Sequence, residues 1–375
     1  MHGTEIFTIH ARDGRTKART GVLDLPHGKV RTPVFMPVGT NATVKAVPKE
    51  YLEEMGFEII LANTYHLYLR PGHELIRQAG GLHGFTGWKG NFLTDSGGFQ
   101  VYSLAPFRKI THEGVRFQSH IDGSRHVLRP EDAVDIQTAL GSDIFMQLDV
   151  CTPYGAEERE ALDALRMTTD WARRSKERWL SSRGDFRGSL FGIVQGNFFP
   201  DLRARSAEEI LELDLPGVAL GGLSVGEPFE VFEETLAYSA DLLPDAKPRY
   251  VMGIGTPEYI LAAVENGIDM FDCVLPTRTA RNGLLYTFSG KIVIKNAQYE
   301  RDFGPPDEEC GCRVCRQYSR AYLRHLYKNG EILWSILASY HNLFFLRDLV
   351  SRIRYSIESG SFTEFKKTFY AKYRG

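Results

Sequence analysis

The sequence predicts an α/β protein in which a (β/α)8 barrel carries antiparallel hairpins at its N-terminus and a metal-binding subdomain near its C-terminus. Eight short apolar runs, rich in β-branched residues, alternate with long amphipathic stretches, a pattern typical of parallel strands connected by helices. Eight such units are the number that closes a barrel. After residue 275 the alternation ends, and three cysteines then fall within six residues.

The segment before the barrel is predicted to form hairpins. Apolar residues at 6–9 precede a polar turn at 13–15, and a second apolar run at 21–23 precedes another turn, His27-Gly28. Short apolar runs separated by turns that contain glycine and aspartate are typical of antiparallel strands. We therefore predict an antiparallel sheet over residues 1–32 that caps the barrel.

The eight barrel strands are predicted at the apolar runs, each of which ends at a glycine, a proline or a polar cluster. These runs are residues 34–38, 58–62, 91–94, 143–148, 190–194, 218–220, 250–252 and 270–274. Helix signals occupy the stretches between them, and they are clearest at 48–53 and 157–183. A doubly wound open sheet is the alternative, because a strand count from sequence can be wrong by about one or two.

A cysteine cluster predicts a structural zinc site. Cys310, Cys312 and Cys315 are followed by His325 and His341, and spacing favours His341 without excluding His325. Three thiolates and one imidazole form a closed tetrahedral shell for Zn²⁺, which leaves no position for a reacting water. Free buried thiols are the alternative. The predicted division of the chain is 1–32, antiparallel sheet; 33–285, catalytic barrel; 286–345, zinc-binding subdomain; and 346–375, a C-terminal helix packing on the barrel.

Charge argues against a general nucleic-acid-binding protein, and hydropathy argues against a membrane-spanning protein. The 375 residues include 45 Lys and Arg against 47 Asp and Glu, a net charge of -2, so no overall positive field attracts nucleic acid. A polyanion would need local basic patches, for which Arg278 and Arg281 after the last strand are candidates. No apolar run of about 18 residues and no signal-peptide pattern occur, which predicts a cytoplasmic protein without a membrane partner.

A second basic feature lies in the C-terminal region. Its members are spaced three or four residues apart and are predicted to share one helix face without an acid between them: Arg313, Arg316, Arg320, Arg324 and Lys328. Such a face is suited to phosphates. A basic stripe is more often a solvated surface than a phosphate site, so both interpretations stay open.

Polar residues fall where the predicted strands end. Asp95 and Asp149 follow two strands, and Asp272 lies within the last one, so three carboxylates are expected at one mouth of the barrel. Two carboxylates of unequal environment suit substitution at an anomeric carbon, where one attacks and the other transfers the proton of the leaving group. Glycine pairs at 97–98 and 221–222 would let the backbone approach a flat ligand, although a tight turn alone could also require them.

Five motifs occur in a fixed order along the chain. They are TDSGGFQ at 94–100, GIVQG at 192–196, LGGLSVGE at 220–227, FDCVLPTR at 271–278 and the Cys/Cys/Cys/His set. Together they closely resemble the motifs of the bacterial tRNA-guanine transglycosylases, the queuine tRNA-ribosyltransferase family. The resemblance runs from about Phe7 to the C-terminus.

This resemblance implies an activity in queuosine biosynthesis. The wobble-position guanine of tRNAs with a GUN anticodon, those for aspartate, asparagine, histidine and tyrosine, would be exchanged for the 7-deazaguanine preQ1. The exchange would be a double displacement through a covalent aspartyl-ribose intermediate. The resemblance also implies a homodimer with one structural Zn²⁺ per chain.

The resemblance implies roles for individual residues as well. Asp272 is expected to be the nucleophile on ribose C1′, and Asp95 the general acid/base for the leaving and incoming bases. The other expected residues are, for the base, Asp149, Gln195, the Gly222 N–H, the Leu223 carbonyl, and Phe99 and Met252 on the two faces of the ring; for tRNA, Arg278 and Arg281; and for zinc, Cys310, Cys312, Cys315 and His341.

Three positions refine the expected base preference. Phe99 stands where tyrosine is often found in the family, and keeps the π-face for stacking without the hydroxyl. Val150 stands where glutamate is common, so a hydrogen bond behind the base could be missing. Val225 is bulky, as in the bacterial enzymes, whereas the queuine-using eukaryotic catalytic subunits carry glycine there. We therefore expect preQ1 in preference to the larger queuine.

Two other classes of protein stay open at this point. A non-catalytic accessory subunit of a heteromeric transglycosylase would lack the carboxylates, and both Asp95 and Asp272 are present. A barrel glycosidase acting on a free saccharide would present aromatic sugar platforms rather than arginines such as Arg278 and Arg281. Binding of tRNA with a steep salt dependence would separate the glycosidase from the other two.

Overall fold

The chain begins with a three-stranded antiparallel sheet, as predicted. The structure, a computed structural model, describes residues 5–98, 100, 108–182 and 187–373. The sheet consists of β1 (Phe7–Arg12), β2 (Arg19–Leu25) and β3 (Gly28–Thr32), in that order. It is tied to the amino end of the barrel by the buried Arg19, whose guanidinium forms an ion pair of 2.6 Å with Asp269, the residue before the last barrel strand.

Eight parallel strands close into a barrel, which confirms the predicted fold class. The strands are β4 (Val34–Gly39), β5 (Ile59–Ala62), β6 (Asn91–Thr94), β10 (Ile144–Met146), β11 (Ser189–Val194), β12 (Gly217–Leu220), β13 (Arg249–Val251) and β14 (Met270–Cys273). Closure is made by β14 pairing with β4, where Met270 lies opposite Val34. The doubly wound open sheet is excluded by this pairing.

The barrel strands are mostly apolar because both of their faces are covered. In β11, Phe191 and Ile193 belong to the cluster that fills the barrel interior, whereas Leu190 and Val194 pack towards the surrounding helices. Alternate residues of a strand point to opposite faces, so a strand buried on both sides has no polar alternation. This is why continuous apolar runs predicted the strands within one or two residues.

The helices surround the barrel and form most of the C-terminal region. They are α1 (Lys49–Met55), α2 (Thr64–Leu69), α3 (His73–Gln78), α4 (Gly81–Thr86), α5 (Pro130–Leu140), α6 (Glu158–Ser181), α7 (Pro200–Leu211), α8 (Phe229–Asp241), α9 (Pro257–Glu265), α10 (Leu275–Arg281), α11 (Arg313–Gln317), α12 (Arg320–Lys328), α13 (Ile332–Glu358) and α14 (Phe362–Tyr373). The helix signals at 48–53 and 157–183 correspond to α1 and α6.

A second antiparallel sheet between β6 and β10 was not predicted. It consists of β7 (Arg108–Thr111), β8 (Gly114–Gln118) and β9 (Arg125–Leu128). Charged residues interrupt these strands, as at Arg116 and Arg125, so the segment lacks the continuous apolar runs of the barrel strands. Its inner face is nevertheless apolar, because Val115, Phe117 and Leu128 are buried in the main core.

The C-terminal region combines a hairpin with helices. The hairpin is β15 (Leu284–Thr287) and β16 (Gly290–Val293), and a short 3-10 helix, Ala297–Tyr299, follows it. Helix α13 is continuous through residue 345, where the sequence analysis placed a boundary, and it packs against α10, α11, α12 and β4. One helix therefore links the cysteine-containing region to the barrel.

The basic stripe predicted on one helix face is broken. Tyr318 has extended backbone angles, and the Ser319 side chain caps a new helix by accepting a hydrogen bond from the Tyr322 N–H. No acid lies between these basic residues in the sequence, but acids from an earlier segment reach them in three dimensions: Arg320 pairs with Asp302 at 2.9 Å and Arg324 with Glu300 at 3.3 Å. Arg313 likewise pairs with an acid, Glu54. Spacing in sequence continues across a break in the helix, but the shared face does not.

No helix among the described residues is long and apolar enough to cross a membrane.

Candidate active site

The carboxyl ends of the barrel strands bring most of the expected site residues to one mouth. Because the strands are parallel, residues that follow them meet at the same end of the barrel. The members are Asn63 after β5, Asp95 after β6, Asp149 after β10, Gln195 after β11, Gly221 and Gly222 after β12, Met252 and Gly253 after β13, and Asp272 within β14. The expected residue Phe99 lies outside the described residues.

Asp95 is held by the residues that start helix α2. The Asn63 side-chain amide donates to its Oδ2 at 2.5 Å, and the Thr64 N–H donates to its Oδ1 at 2.8 Å. Only 7% of Asp95 is exposed. Burial raises the pKa of this carboxyl to about 6, the nearby Asp272 charge adds to the rise, and the two hydrogen bonds oppose it. Asp95 can therefore both release and accept a proton near neutral pH.

One carboxylate oxygen of Asp272 accepts two hydrogen bonds, and the other accepts none among the described residues. The Tyr250 hydroxyl donates to Oδ1 at 2.5 Å, and the Gly253 N–H donates to the same oxygen at 3.0 Å. Burial raises the pKa of Asp272, and these two hydrogen bonds oppose the rise by stabilising the ionised form. Of the hydrogen bonds among the described residues, none goes to Oδ2. That oxygen is available to attack an electrophile.

Asp95 and Asp272 lie close enough for the charge of Asp272 to raise the pKa of Asp95. Each charge acts on a shared neighbour, since both carboxylates raise the pKa of the Tyr250 hydroxyl, after burial and with Asp272 as the stronger. The two acids have different donors: an amide and a helix-starting N–H for Asp95, a phenol and a loop N–H for Asp272. Such a pair has the unequal environments that acid/base and nucleophilic roles require.

Asp149 and Gln195 form a second polar group in the mouth. The Gln195 amide donates to Oδ2 of Asp149 at 2.7 Å, and the Ser96 hydroxyl donates to Oδ1 at 3.2 Å. Burial raises the pKa of Asp149, and these two donors oppose the rise. A carboxylate beside an amide offers acceptors and donors in one plane, which suits the hydrogen-bonding edge of a flat heterocycle.

The glycine pair after β12 lies against Gln195. A Cβ added to Gly222 would lie 2.7 Å from Oε1 of Gln195, and one added to Gly221 would lie 2.6 Å from its Nε2. The φ angle of Gly222 is +67°, a conformation that L side chains rarely adopt. The pair therefore makes a turn that requires glycine and lies too close to Gln195 for a side chain, while the approach of the backbone to a flat ligand stays a prediction.

Two charged residues fix this turn and the loop that follows it. The sequence analysis above gave neither of them a role. The fully buried guanidinium of Arg203 donates to the carbonyl oxygens of Gly221 at 2.8 Å and Asn197 at 2.7 Å. The Glu227 carboxylate accepts from the backbone N–H groups of Ser224 and Val225, so it fixes the loop that follows Leu223. Arg203 carries no signal in the sequence, whereas Glu227 ends the recognised glycine motif.

Tyr250 was also missed as a site residue, because the sequence analysis placed it in an apolar strand. A buried tyrosine in a strand carries a hydroxyl that needs a partner, which is the signal that could have found it. Met252 is half-buried at the end of the same strand. Arg278 is exposed on α10, and Arg281 donates to the Thr277 carbonyl at 2.8 Å, so both lie on the helix that leaves Asp272.

The cysteine cluster closes on His341. Its Nδ1 lies 4.0, 3.4 and 3.3 Å from the sulfurs of Cys310, Cys312 and Cys315, and all four residues are buried. Tetrahedral Zn²⁺ with ordinary bond lengths would separate sulfur and nitrogen ligands by about 3.6 Å. The Nε2 atom donates to the Tyr286 carbonyl at 2.7 Å, which leaves the Nδ1 lone pair free for a metal. The donor set fits a metal ion.

His325, the other histidine considered, is not part of this cluster. It is exposed on α12, where its ring nitrogen contacts the Asn329 amide at 3.2 Å.

The acidity of the cysteine cluster suits metal binding. Hydrogen bonds from the neighbouring thiols of Cys310 and Cys315 lower the pKa of the Cys312 thiol to about 4, so a thiolate forms readily in the cluster. The convergence of three sulfurs on Nδ1 of His341 favours a metal site over free buried thiols.

A second group of potential metal ligands lies at the amino end of the barrel. Asp143 precedes β10 and contacts His27 at 2.6 Å and His83 at 3.4 Å. The two imidazole rings are stacked, with centroids 3.4 Å apart and planes 15° from parallel. Nitrogen lone pairs in stacked rings run side by side instead of converging, and Nε2 of His83 already contacts the Gly90 carbonyl at 2.9 Å. We assign no metal to this group.

A closed parallel barrel with carboxylates grouped at its carboxyl end is the architecture of a (β/α)8 enzyme. A family model described as Queuine tRNA-ribosyltransferase matches residues 13–375. The chain therefore belongs to the queuine tRNA-ribosyltransferase family, a family of transglycosylase enzymes, and the resemblance found in the sequence is confirmed.

Individual relatives agree with the family match. The chain is 59% identical over 369 residues to the queuine tRNA-ribosyltransferase of Treponema denticola, covering 98% of this chain and 97% of that protein. It is 55% identical over 369 residues to the protein of the same name from Pelotomaculum thermopropionicum, covering 98% and 99%. The corresponding protein of Caldanaerobacter subterraneus is 53% identical over 369 residues, covering 98% of each chain.

Proposed function

We propose that this protein exchanges the wobble-position guanine of tRNAs with a GUN anticodon for preQ1, by double displacement through a covalent aspartyl-ribose intermediate. The observation that carries the proposal is the pair Asp95 and Asp272, close enough for one charge to raise the pKa of the other and held by different donors. Base exchange needs no ATP, because the leaving and entering bases are chemically alike and a covalent intermediate can partition between them.

In the first half-reaction, Asp272 is the nucleophile. Its Oδ2 forms a bond to ribose C1′ while the bond from C1′ to guanine breaks, and protonated Asp95 gives its proton to the departing base. Tyr250 and the Gly253 N–H hold Oδ1, so Oδ2 is directed at the sugar. The target nucleotide must leave its stack to enter the mouth, as in other enzymes that act on flipped bases.

In the second half-reaction, the roles reverse. The incoming preQ1 attacks C1′, the ester bond to Asp272 breaks, and ionised Asp95 accepts the proton that the base loses. Esterification removes the negative charge of Asp272, which is one of the causes that raise the pKa of Asp95. The pKa of Asp95 is therefore lower in the intermediate than in the free protein, so Asp95 remains ionised for the second step.

Base recognition is assigned to the second polar group of the mouth. Asp149 and Gln195 would bind the edge of the heterocycle, with the Gly222 N–H on its carbonyl oxygen and the Leu223 carbonyl on the aminomethyl group of preQ1. Phe99 and Met252 would lie against the two faces of the ring, a kind of contact that contributes about 1 kcal/mol. The support is the 2.7 Å contact of Gln195 with Asp149 beside the glycine turn.

Arg278 and Arg281 are assigned to the bases and phosphates beside the target. They lie on α10, which starts directly after the strand that carries Asp272, so they stand next to the site of ribose attack. The nearby guanidinium of Arg278 and partial burial lower the pKa of Arg281, with burial the larger cause. Two adjacent cations without a paired acid among the described residues are suited to a polyanion.

Cys310, Cys312, Cys315 and His341 would hold one structural Zn²⁺. The ion would link the segment after β16 to helix α13, and its four protein ligands would leave no coordination position for water. The sulfur and nitrogen separations and the Nε2 contact to Tyr286 support this assignment. We further propose a cytoplasmic homodimer, as in the family that the sequence resembles.

The test is exchange of labelled guanine into an unmodified tRNA with a GUN anticodon. We expect incorporation at the wobble position, and no incorporation into a matched transcript whose wobble base is adenine. Competition should then rank preQ1 above queuine, because Val225 limits the space for a larger substituent. Absence of exchange, with tRNA still bound, would favour a non-catalytic accessory subunit, and absence of tRNA binding would favour a glycosidase.

A further inference from the structure

Helix α2 determines where the carboxylate of Asp95 points. Its first residue, Thr64, contacts Asp95 twice: the N–H donates to Oδ1 at 2.8 Å, and the hydroxyl donates to the Asp95 backbone carbonyl at 2.5 Å. Asn63, the residue before the helix, donates to Oδ2. A displacement of α2 would therefore move the donors of Asn63 and Thr64 away from Asp95.

Helix α2 cannot maintain its own orientation. It has six residues, Thr64–Leu69, and ends at Arg70, whose backbone is extended before a proline and a glycine. Isolated helices of this length are not stable in water, because the cost of the first turn is not recovered. Its position must come from contacts with other parts of the fold.

Two tyrosines on one face of α2 supply such contacts. Tyr65 and Tyr68 are three residues apart and so share a helix face. The Tyr65 hydroxyl lies 2.9 Å from Nδ1 of His120, and the Tyr68 hydroxyl lies 2.9 Å from Nδ1 of His126. Both histidines belong to the hairpin of β8 and β9, one in its turn and one in β9. The unpredicted sheet is thus joined to α2 by a matched pair of Tyr–His hydrogen bonds.

The hairpin holds these histidines in fixed orientations. The Ser124 hydroxyl donates to Asp122 at 2.7 Å, so its oxygen is free to accept from Nε2 of His126, also at 2.7 Å. Nδ1 of His126 then accepts from Tyr68. The other contact is reinforced by packing, since Tyr65 is 1% exposed and its ring is stacked on His120 with centroids 5.6 Å apart.

We propose that the β8–β9 hairpin is a positioning element for Asp95: Tyr65–His120 and Tyr68–His126 hold α2 so that Asn63 and Thr64 stay on the carboxylate. The proposal rests on the proposed function, because it assumes that Asp95 transfers protons. His120, His126 and the two tyrosines are positioning residues, since they act through α2 and do not touch the reacting atoms.

Loss of the two contacts has a defined consequence for proton transfer. The donors from Asn63 and Thr64 stabilise ionised Asp95 and lower its pKa. If α2 shifts and these hydrogen bonds lengthen, the pKa of Asp95 rises above about 6. Adduct formation, which needs protonated Asp95, then persists to higher pH, whereas base incorporation, which needs the ionised form, slows towards lower pH.

The experiment uses the full-length chain carrying Tyr65→Phe and Tyr68→Phe together. Single-turnover formation of the tRNA adduct and incorporation of base are measured from pH 5 to pH 9, with tRNA affinity in parallel. We expect the high-pH limb of adduct formation to move upward by about one pH unit, the equivalent of one hydrogen bond, and base incorporation to slow at the acidic end of this range. Affinity for tRNA should stay within about twofold.

Two further variants separate positioning from a general loss of stability. His126→Asn places an acceptor near the position of Nδ1 and should restore most of the activity that His126→Ala loses. Tyr370→Phe removes a hydroxyl that contacts the Glu258 carbonyl, far from α2 in sequence, and should leave both pH profiles unchanged. If the double variant does not fold, Tyr68→Phe alone is used, since this ring is only half-buried.

The outcomes are distinguishable from failure of the proposed function. If the wild-type chain does not exchange guanine, the proposed function fails and the variants are not informative about it. If the wild-type chain exchanges guanine and the folded variants keep its pH limbs, the positioning role is wrong while the function stands. Equal loss of activity in His126→Asn and His126→Ala would also overturn the positioning role.

Discussion

The Tyr250 hydroxyl donates a 2.5 Å hydrogen bond to Oδ1 of Asp272, from the neighbouring barrel strand. The Gly253 N–H binds the same oxygen. Both donors therefore stabilise the ionised carboxylate and leave its other oxygen without a hydrogen bond among the described residues. This arrangement supports the proposed nucleophilic role of Asp272 and the proposed proton-transferring role of Asp95, and it leads to the predictions below.

Replacement of the nucleophile should abolish the covalent intermediate without abolishing tRNA binding. Asp272→Asn keeps the shape of the side chain but removes the negative charge that attacks C1′. We expect no adduct on denaturing gels and exchange reduced by at least about 10⁴-fold, whereas tRNA affinity should change little. Guanine exchange at the wild-type rate would contradict the assignment.

Removal of the tyrosine hydroxyl should change the pH dependence of the first step. Tyr250→Phe removes a donor that lowers the pKa of Asp272, so this pKa rises further. Ionised Asp272 is needed for attack, and the low-pH limb of adduct formation should therefore move to higher pH. A hydrogen bond to a charged group contributes about 1.5–3 kcal/mol, which corresponds to a rate loss of about 10- to 100-fold. An unshifted limb would argue against this role for Tyr250.

The two half-reactions should respond differently to pH. Adduct formation needs protonated Asp95, so its rate should fall about tenfold for each pH unit above the Asp95 pKa of about 6. Base incorporation needs ionised Asp95, whose pKa lies lower once Asp272 is esterified, so its rate should be nearly constant above pH 6. Rapid-quench measurements of each step test this. Parallel profiles for the two steps would remove the acid/base assignment of Asp95.

A methyl group in the glycine turn should impair base binding selectively. Gly222→Ala places a carbon 2.7 Å from Gln195 and should raise the KM for the base by about 100-fold. Gly141→Ala is the matched control, because its φ of +68° equals that of Gly222 within one degree but its nearest new contact is 3.6 Å. Both variants should lose similar stability, about 1–2 kcal/mol, from the left-handed conformation. A normal KM in Gly222→Ala would place the base elsewhere.

Metal content should depend on one histidine and not on the other. We expect one zinc per chain in the wild-type protein and in His325→Ala, whose ring is exposed. His341→Ala should lose most of the zinc and melt at a lower temperature, since it removes one of four ligands from a closed shell. Metal analysis and thermal unfolding measure both effects. Full zinc content in His341→Ala would exclude the ligand set.

Patterns that are local in the sequence predicted most of the fold. The barrel strands are buried on both faces, so they are continuous apolar runs and can be located without the structure. The same reasoning failed for β7, β8 and β9, because a strand with one exposed face carries charges such as Arg116. It also failed for the basic stripe, since the break at Tyr318 ends the shared helix face.

The sequence by itself determined that this chain forms a barrel, that polar residues follow its strands, and that three cysteines lie within reach of a metal. Spacing left His325 open beside His341, which the family resemblance implied, and the tertiary structure brings His341 to the cysteines. Only the tertiary structure showed that Arg203 is a buried anchor while Arg205 pairs with Glu209 on the surface. Apolar periodicity records burial locally, residue by residue. Proton affinity and charge partners depend instead on groups distant in the chain, as the pKa of Asp95 depends on Asp272, and these are brought together only by folding.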